Sequence, residues 1–416
     1  MSEVRPMSEL NPSQQRIADT HEGMIVVDAG PGTGKTHTIV ERYISMISRQ
    51  DISPKDVLLL TFTNNAAAEM EERIKRRMTE KGMERDSKLV MTKTFDAFCL
   101  SIVMDSPDEI SEFFGFKEKL TRSAYMQEND SLNRDYFHRF FDGFLSSKGS
   151  DYGDIAVIAS ENPESLMDLI ENLMSRGLIP LSKGWFGNHS DRILDGDTEQ
   201  ILELLRANNS VTARGKCLNV NALSKIDDDQ GYNVPGRNDD GNIDGSFLEE
   251  SASENRTELY RFVHDVYYDY IKQSITDNRL TFHLVAILAF TVLYRQRNVR
   301  ERNSFRYLMV DEFQDTNANQ LMISLMILKE PNLCVVGDWK QGIYGFRYVS
   351  IENITRFEEK TVEYRRFLNI GDKRVGFSIP EAVKLPLDVN YRSSQEIIDT
   401  AFECICLPGS NDDVIS

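Results

Sequence analysis

Three groups of residues in this chain have types and spacings that do chemistry. The first is Ala29-Gly30-Pro31-Gly32-Thr33-Gly34-Lys35-Thr36. Glycines let a backbone turn its N–H groups toward an anion with no Cβ in the way. Lys35 is placed for the β- and γ-phosphates of a nucleoside triphosphate, and Thr36 for a Mg²⁺ ion. The strict pattern opens on glycine, where this chain has Ala29. The second group is the acidic pair Asp311-Glu312, directly after an apolar run. Asp311 can hold the Mg²⁺ shell, and Glu312 can orient and deprotonate an attacking water. The third group is scattered. The Gln14 amide offers both a donor and an acceptor to the edge of adenine. Gln341 is placed to sense a γ-phosphate, Tyr391 to stack on adenine and Arg392 to reach the γ-phosphate. Tyr344 and Phe346, with Arg347, suit stacking on single-stranded bases, at roughly 1–3 kcal/mol per base.

These groups need strands and helices to present them. Met24 to Val27 reads as a strand before the glycine-rich turn, and Thr38 to Ile47 as a helix after it. Strand, turn and helix together form the context in which such a turn binds phosphate, with the helix dipole adding to it. Asp56 to Thr61 is a buried strand by composition and runs into Phe62-Thr63-Asn64-Asn65, then an alanine-rich helix, Ala66 to Met78. Leu89 to Thr92 leads in the same way to Thr94-Phe95-Asp96. Phe62 and Thr94 thus fall at the carboxyl ends of strands, the edge where open parallel sheets bind ligands. Further strands are expected at 305–310 and 333–336, and Leu387 to Ser393 reads as a short strand leading into a helix. Asn11 and Pro12 mark the start of a helix over 9–22.

Between 105 and 280 the pattern loosens. Helices are expected over 111–119, 132–146, 163–176, 198–206, 257–274 and 281–294, with a turn-rich, flexible excursion over 207–256. The economical account is a helical domain inserted within a nucleotide-binding domain.

Composition narrows the class. The net charge of −18 argues against a general nucleic-acid coat, and residues 227–254 alone hold nine Asp or Glu against one Arg. A local groove stays compatible with it. Two basic clusters, Arg73 to Arg77 and Arg295 to Arg302, read as solvated helix faces. Five scattered cysteines without a C-x-x-C pair fit a reducing, cytosolic setting. The longest apolar run, Leu284 to Tyr294, is too short to span a bilayer.

Taken in order, the blocks resemble the superfamily 1 DNA helicases of the UvrD/Rep/PcrA type. LNPSQQ resembles the adenine-reading Q motif of that family, and AGPGTGKT its phosphate loop, alanine included. TFTNNAAAEM, TFDAF, VDEFQDTN, GDWKQGIYGFR and NYRSSQEII resemble successive motifs between residues 61 and 398. The resemblance implies an α/β fold: a RecA-like P-loop NTPase core with a parallel sheet, a mainly helical inserted domain and an incomplete second RecA-like core. The first core would take 1–104 and 281–360, the insertion 105–280, and the start of the second core 361–416. It implies ATP and Mg²⁺ as cofactors, and translocation on single-stranded DNA with unwinding of duplex DNA in the 3′ to 5′ sense, in repair, replication or recombination. Carried over by motif, Gln14, Ala29, Gly30, Gly32, Thr33, Gly34, Lys35, Thr36 and Tyr391 hold the nucleotide. Thr36 and Asp311 serve the metal, and Lys35, Glu312, Gln341 and Arg392 serve catalysis. Phe62, Asn64, Thr94, Tyr344, Phe346 and Arg347 face DNA.

Departures temper this. His37 stands where close relatives have Arg, Asn65 replaces a Lys, Asp96 a His and Gly342 a Ser. No segment resembles the family's fifth or sixth motif, so the expectation is an amino-terminal portion, impaired alone, whose missing half a second chain could supply. The alternatives are a helicase subunit of a RecB/AddA-like nuclease and a non-catalytic, ATP-gated DNA-binding module.

Overall fold

Apolar runs that do not alternate with polar residues suit strands covered on both faces, as parallel sheets require. The computed structural model describes residues 10–49, 52–153, 156, 159–160, 163–188, 190, 256–341, 350–397 and 400. Its strands are β1 (Met24–Ala29), β2 (Val57–Thr61), β3 (Met91–Thr94), β4 (Tyr125–Met126), β5 (Ile179–Pro180), β6 (Trp185–Phe186), β7 (Arg279–Leu280), β8 (Tyr307–Val310), β9 (Leu333–Gly337) and β10 (Val383–Leu387). Six of them form one parallel sheet in the order β10-β1-β9-β8-β2-β3.

The two faces of the sheet separate cleanly by strand periodicity. Ile25, Val27, Leu59, Tyr307, Met309, Cys334 and Val336 enter one core. Met24, Val26, Leu58, Leu60, Leu308, Val310 and Val335 enter the other. The first face is covered by α1 (Pro12–Asp19), α2 (Lys35–Ile47) and α3 (Asn64–Glu80), through Ile17, Ile39, Tyr43 and Ile74 among others. The second is covered by α4 (Phe95–Met104) and by helices that follow the insertion.

The insertion begins with α5 (Pro107–Phe114) and contains α6 (Asp130–Lys148), α7 (Pro163–Ser175) and α8 (Arg256–Thr276). The expected helix at 111–119 is displaced toward the N-terminus, because Pro107 suits a first turn and Gly115 caps the end. The expectations at 198–206 and 207–255 lie outside the described residues. Parallel pairing of β4 with β7 ties the two ends of the insertion together. Its interior is aromatic: Phe137, Phe141, Phe144 and Phe262 are all buried, with Phe141 and Phe262 edge to face at 6.2 Å. This interior is continuous with the second face of the sheet.

Helix α9 (Phe282–Arg295) returns the chain to the core, with every residue from Leu284 to Tyr294 buried. Helices α10 (Ala318–Met326) and α11 (Phe357–Leu368) complete that layer. No described helix is long and apolar enough to cross a membrane.

Two expectations are corrected. A second core is expected to begin at 361, yet within 361–387 α11 packs against α10 and β10 forms the edge of the first sheet beside β1, while 401–416 lie outside the described residues. Leu385 and Leu387 join the same core as α2. The cluster from Arg295 to Arg302 is expected to be solvated, yet Arg300 is 5% exposed and donates from Nη1 to the Leu293 carbonyl at 2.6 Å.

Candidate nucleotide site and nucleic-acid edge

The glycine-rich loop joins the end of β1 to the start of α2. Ala29 is the last residue of β1, fully buried and in register with Leu387, so its place calls for a strand residue and not a glycine. Gly32 and Gly34 do need to be glycine. Their φ angles are +71° and +83°. A Cβ on Gly32 would lie 2.6 Å from the Arg392 Cβ, and one on Gly34 would lie 2.8 Å from Gln14 Nε2. Thr33 is buried and its hydroxyl donates to the Gly30 carbonyl at 2.8 Å. Gly34 caps α2, so the unbonded N–H groups of the first helical turn face this loop.

Lys35 donates to Glu312 Oε2 at 2.9 Å. Glu312 follows directly on Asp311 at the end of β8, and it is a non-glycine residue at φ +49°. Holding such a residue in the left-handed region costs of order 1–3 kcal/mol, which the surrounding bonds must offset. Those bonds run through Gln314, which is 3% exposed. Its Nε2 donates to Glu312 Oε2 at 2.9 Å, and its Oε1 accepts from the Asp338 backbone N–H at 3.0 Å. The Asp338 carboxylate in turn accepts from Gln341 Nε2 at 2.8 Å and from the Lys340 N–H at 3.1 Å. A continuous chain of bonds therefore runs from Lys35 to the residues just beyond β9.

Asp311 is 9% exposed, and its Oδ1 is buried with no hydrogen-bond partner. Burial, and then the neighbouring Glu312 charge, push its carboxyl up to about 6, while Lys35 opposes them. A buried carboxylate oxygen without a donor fits a divalent cation. No group of three His, Cys, Asp or Glu that could hold a metal occurs among the described residues. A site that shares its ion with phosphates needs only one carboxylate and a hydroxyl.

The base side is assembled from three distant places. Gln14 is buried at 3%. Its Oε1 accepts from the Asn11 N–H at 3.0 Å and its Nε2 donates to the Thr33 carbonyl at 3.2 Å. One N–H and one lone pair of the amide remain for a ligand. Asn11 Nδ2 donates to the Tyr391 hydroxyl at 2.7 Å. Tyr391 N–H donates to the Gly32 carbonyl at 2.8 Å, and Asn390 Nδ2 to the Pro31 carbonyl at 2.8 Å. Tyr391 is 54% exposed, so a ring face is open for stacking. Arg392 follows it, exposed, over the phosphate loop.

Thr61 and Thr94 stand in register at the ends of β2 and β3. The Thr94 hydroxyl accepts from the Ala97 N–H at 3.1 Å and caps α4, and Thr63 caps α3 in the same way from Ala66 at 3.2 Å. Phe62 is half-buried and Asn64 exposed, on the same edge. Tyr344, Phe346 and Arg347 lie outside the described residues.

Residues 10–362 match the UvrD/REP helicase N-terminal domain. The chain belongs to that family. It is 25% identical over 402 residues to the ATP-dependent DNA helicase PcrA of Staphylococcus aureus, covering 96% of this chain and 40% of that protein. The PcrA of Staphylococcus epidermidis is 26% identical over the same share of each. The chain thus spans about two-fifths of the length of the curated relatives it matches. The parallel six-stranded sheet agrees with the RecA-like core of a UvrD-type helicase domain.

Within that UvrD/REP framework, reading the sequence missed Gln314, Asp338 and Asn390 as parts of the site. Each is a polar residue inside a recognised motif, and its role shows only when two strand ends are brought side by side.

Proposed function

We propose that the chain is the ATP-hydrolysing motor core of a DNA helicase that moves 3′ to 5′ on single-stranded DNA and opens duplex DNA. The observation that carries this is the Lys35–Glu312 contact at 2.9 Å, beside the unpartnered Asp311 oxygen. A cation, a water-activating carboxylate and a bare metal-ligating oxygen converge on one phosphate loop.

On this reading, an incoming triphosphate takes the Lys35 ammonium away from Glu312. Glu312 stays bonded to Gln314 and is left with a free carboxylate oxygen to accept the proton of an attacking water. Thr36 and Asp311 would hold Mg²⁺, which would supply charge neutralisation to the triphosphate. Tyr391 covers the adenine and Gln14 reads its edge. Arg392 reaches the γ-phosphate, and a second RecA-like core completes the site. The Gln314–Asp338–Gln341 bonds carry the state of Glu312 toward 342–349, where Tyr344, Phe346 and Arg347 grip single-stranded bases. Phe62, Asn64 and Thr94, at the carboxyl ends of β2 and β3, contact the same DNA strand. The work serves DNA repair, replication or recombination in the cytoplasm.

The test is binding of a fluorescent ATP analogue with Mg²⁺, with and without a single-stranded oligonucleotide. Lys35→Ala is expected to weaken binding at least tenfold, and the oligonucleotide to change the affinity of the wild-type chain. Equal binding by wild type and Lys35→Ala would sink the proposal.

A further inference from the structure

Arg42 is a buried cation without a carboxylate. It is 2% exposed, on α2, and pairs with no acidic group among the described residues. Its guanidinium instead donates to three backbone carbonyls at the end of α1. Nη1 donates to Ile17 at 2.8 Å and also to Thr20, and Nη2 donates to His21 at 3.1 Å. Nε is buried and unpartnered. Burying such a charge is expensive. The negative end of a helix offsets part of that cost.

Burial alone does not explain this choice. Ile17 and Ala18 already seal α1 against the core at 1% exposure each. What a planar fork on three carbonyls adds is direction, since it fixes the rotation and the advance of a helix only eight residues long. The other end of that helix carries the Asn11 cap, its bond to Tyr391 and the 3.2 Å bond from Gln14 to Thr33.

We propose that Arg42 is a positioning residue for nucleobase selection, holding α1 so that Gln14 and Tyr391 meet the base in one fixed arrangement. This rests on the ATP-binding reading above. The phosphate contacts come from Lys35 and the loop, which Arg42 does not touch. Loosening α1 therefore falls first on the base, since among the described residues α1 reaches the loop only through the Gln14 side chain against Thr33 and Gly34.

The experiment is titration of wild type and Arg42→Lys with MgATP, MgCTP and inorganic tripolyphosphate. Lysine keeps the charge and most of the stem but cannot serve three carbonyls with a planar fork. Gln14→Ala sets the size of a full loss of base reading. The expected result is a fivefold or greater fall in the ATP-over-CTP preference for Arg42→Lys, with tripolyphosphate affinity within twofold of wild type. Should Arg42→Lys fail to fold, Arg42→Gln, which keeps a planar donor group and drops the charge, takes its place and is expected to show the same selective loss. An unchanged preference in whichever variant folds overturns the proposal. So does an equal fall for ATP and tripolyphosphate, which is the mark of a merely structural role. A wild-type chain that binds triphosphate without base preference also overturns it, leaving the ATP reading standing. A wild-type chain that binds neither ATP nor tripolyphosphate overturns that reading itself.

Discussion

Glu312 is held at φ +49° with its carboxylate 2.9 Å from the Lys35 ammonium and 2.9 Å from the Gln314 amide. On the proposed function Lys35 leaves that contact to reach a phosphate, so Glu312 would compete with the ligand for it. Replacing Glu312 by Gln removes the competing charge and the proton acceptor together. Nucleotide binding by Glu312→Gln is expected to be as tight as wild type or tighter, and hydrolysis slower by ~10²–10⁴, the usual worth of a general base. Measuring affinity and single-turnover hydrolysis on the same sample separates the two effects. A variant that bound tenfold more weakly would contradict the competition argument.

At the scale of elements, the α1–α2 junction is held by the Arg42 guanidinium on the carbonyls that end α1. His21 belongs to it: its Nε2 meets Ser45 Oγ at 2.9 Å and its Nδ1 meets Arg49 at 3.1 Å. Burial first, and then Arg42 and Arg49, lower its pKa below 6.5, against a weaker opposing pull from the Ala18 backbone and Asp19. The unfolded chain takes up a proton near pH 6.5 that the folded chain refuses until lower pH. This contribution to stability is therefore present above pH 6.5 and is lost as pH falls through the folded value. Between pH 7.5 and 5.5 the urea midpoint of wild type is expected to fall relative to that of His21→Gln. Equal slopes would show that His21 does not titrate this way.

The same junction shows what a sequence can and cannot disclose. The strand, turn and helix around Lys35 are legible because they are local, a matter of periodicity and glycine placement over a few residues. The Asp311-Glu312 pair is legible for the same reason. The Asn11–Tyr391 bond spans 380 residues and leaves no local trace. A strand is legible near Leu387, but not that it lies at Val383–Leu387 or which sheet it joins, because exposed Lys384 and Pro386 alternate with buried Leu385 and Leu387 over too short a stretch. Its partner, β1, decides it.

At the scale of the whole molecule, the insertion shares one core with the sheet layer, and Phe186 is an aromatic link within it. Phe186, on β6, lies 6.0 Å from Phe113 of α5, 4.7 Å from Tyr294 of α9 and 6.0 Å from Phe367 of α11. Tyr294 and Phe367 also stack on each other at 6.0 Å, and Arg374 covers the Tyr294 ring at 3.5 Å. Phe186 thus joins the hairpin of the insertion to two helices of the sheet layer. Truncating a buried Phe costs about 3–5 kcal/mol, and this one is half-buried, so Phe186→Ala is expected toward the low end. The more telling consequence is cooperativity. One continuous core predicts a single unfolding transition in wild type. Cutting the aromatic link lets the insertion open before the sheet does. The two tryptophans make this measurable, because Trp185 belongs to the insertion, 5.5 Å from Tyr260, and Trp339 follows β9. In single-tryptophan forms of wild type the two urea curves are expected to coincide, and in Phe186→Ala the Trp185 curve is expected to move to lower urea. Coincident curves in both would mean that the insertion is fastened elsewhere, through α7 and α9.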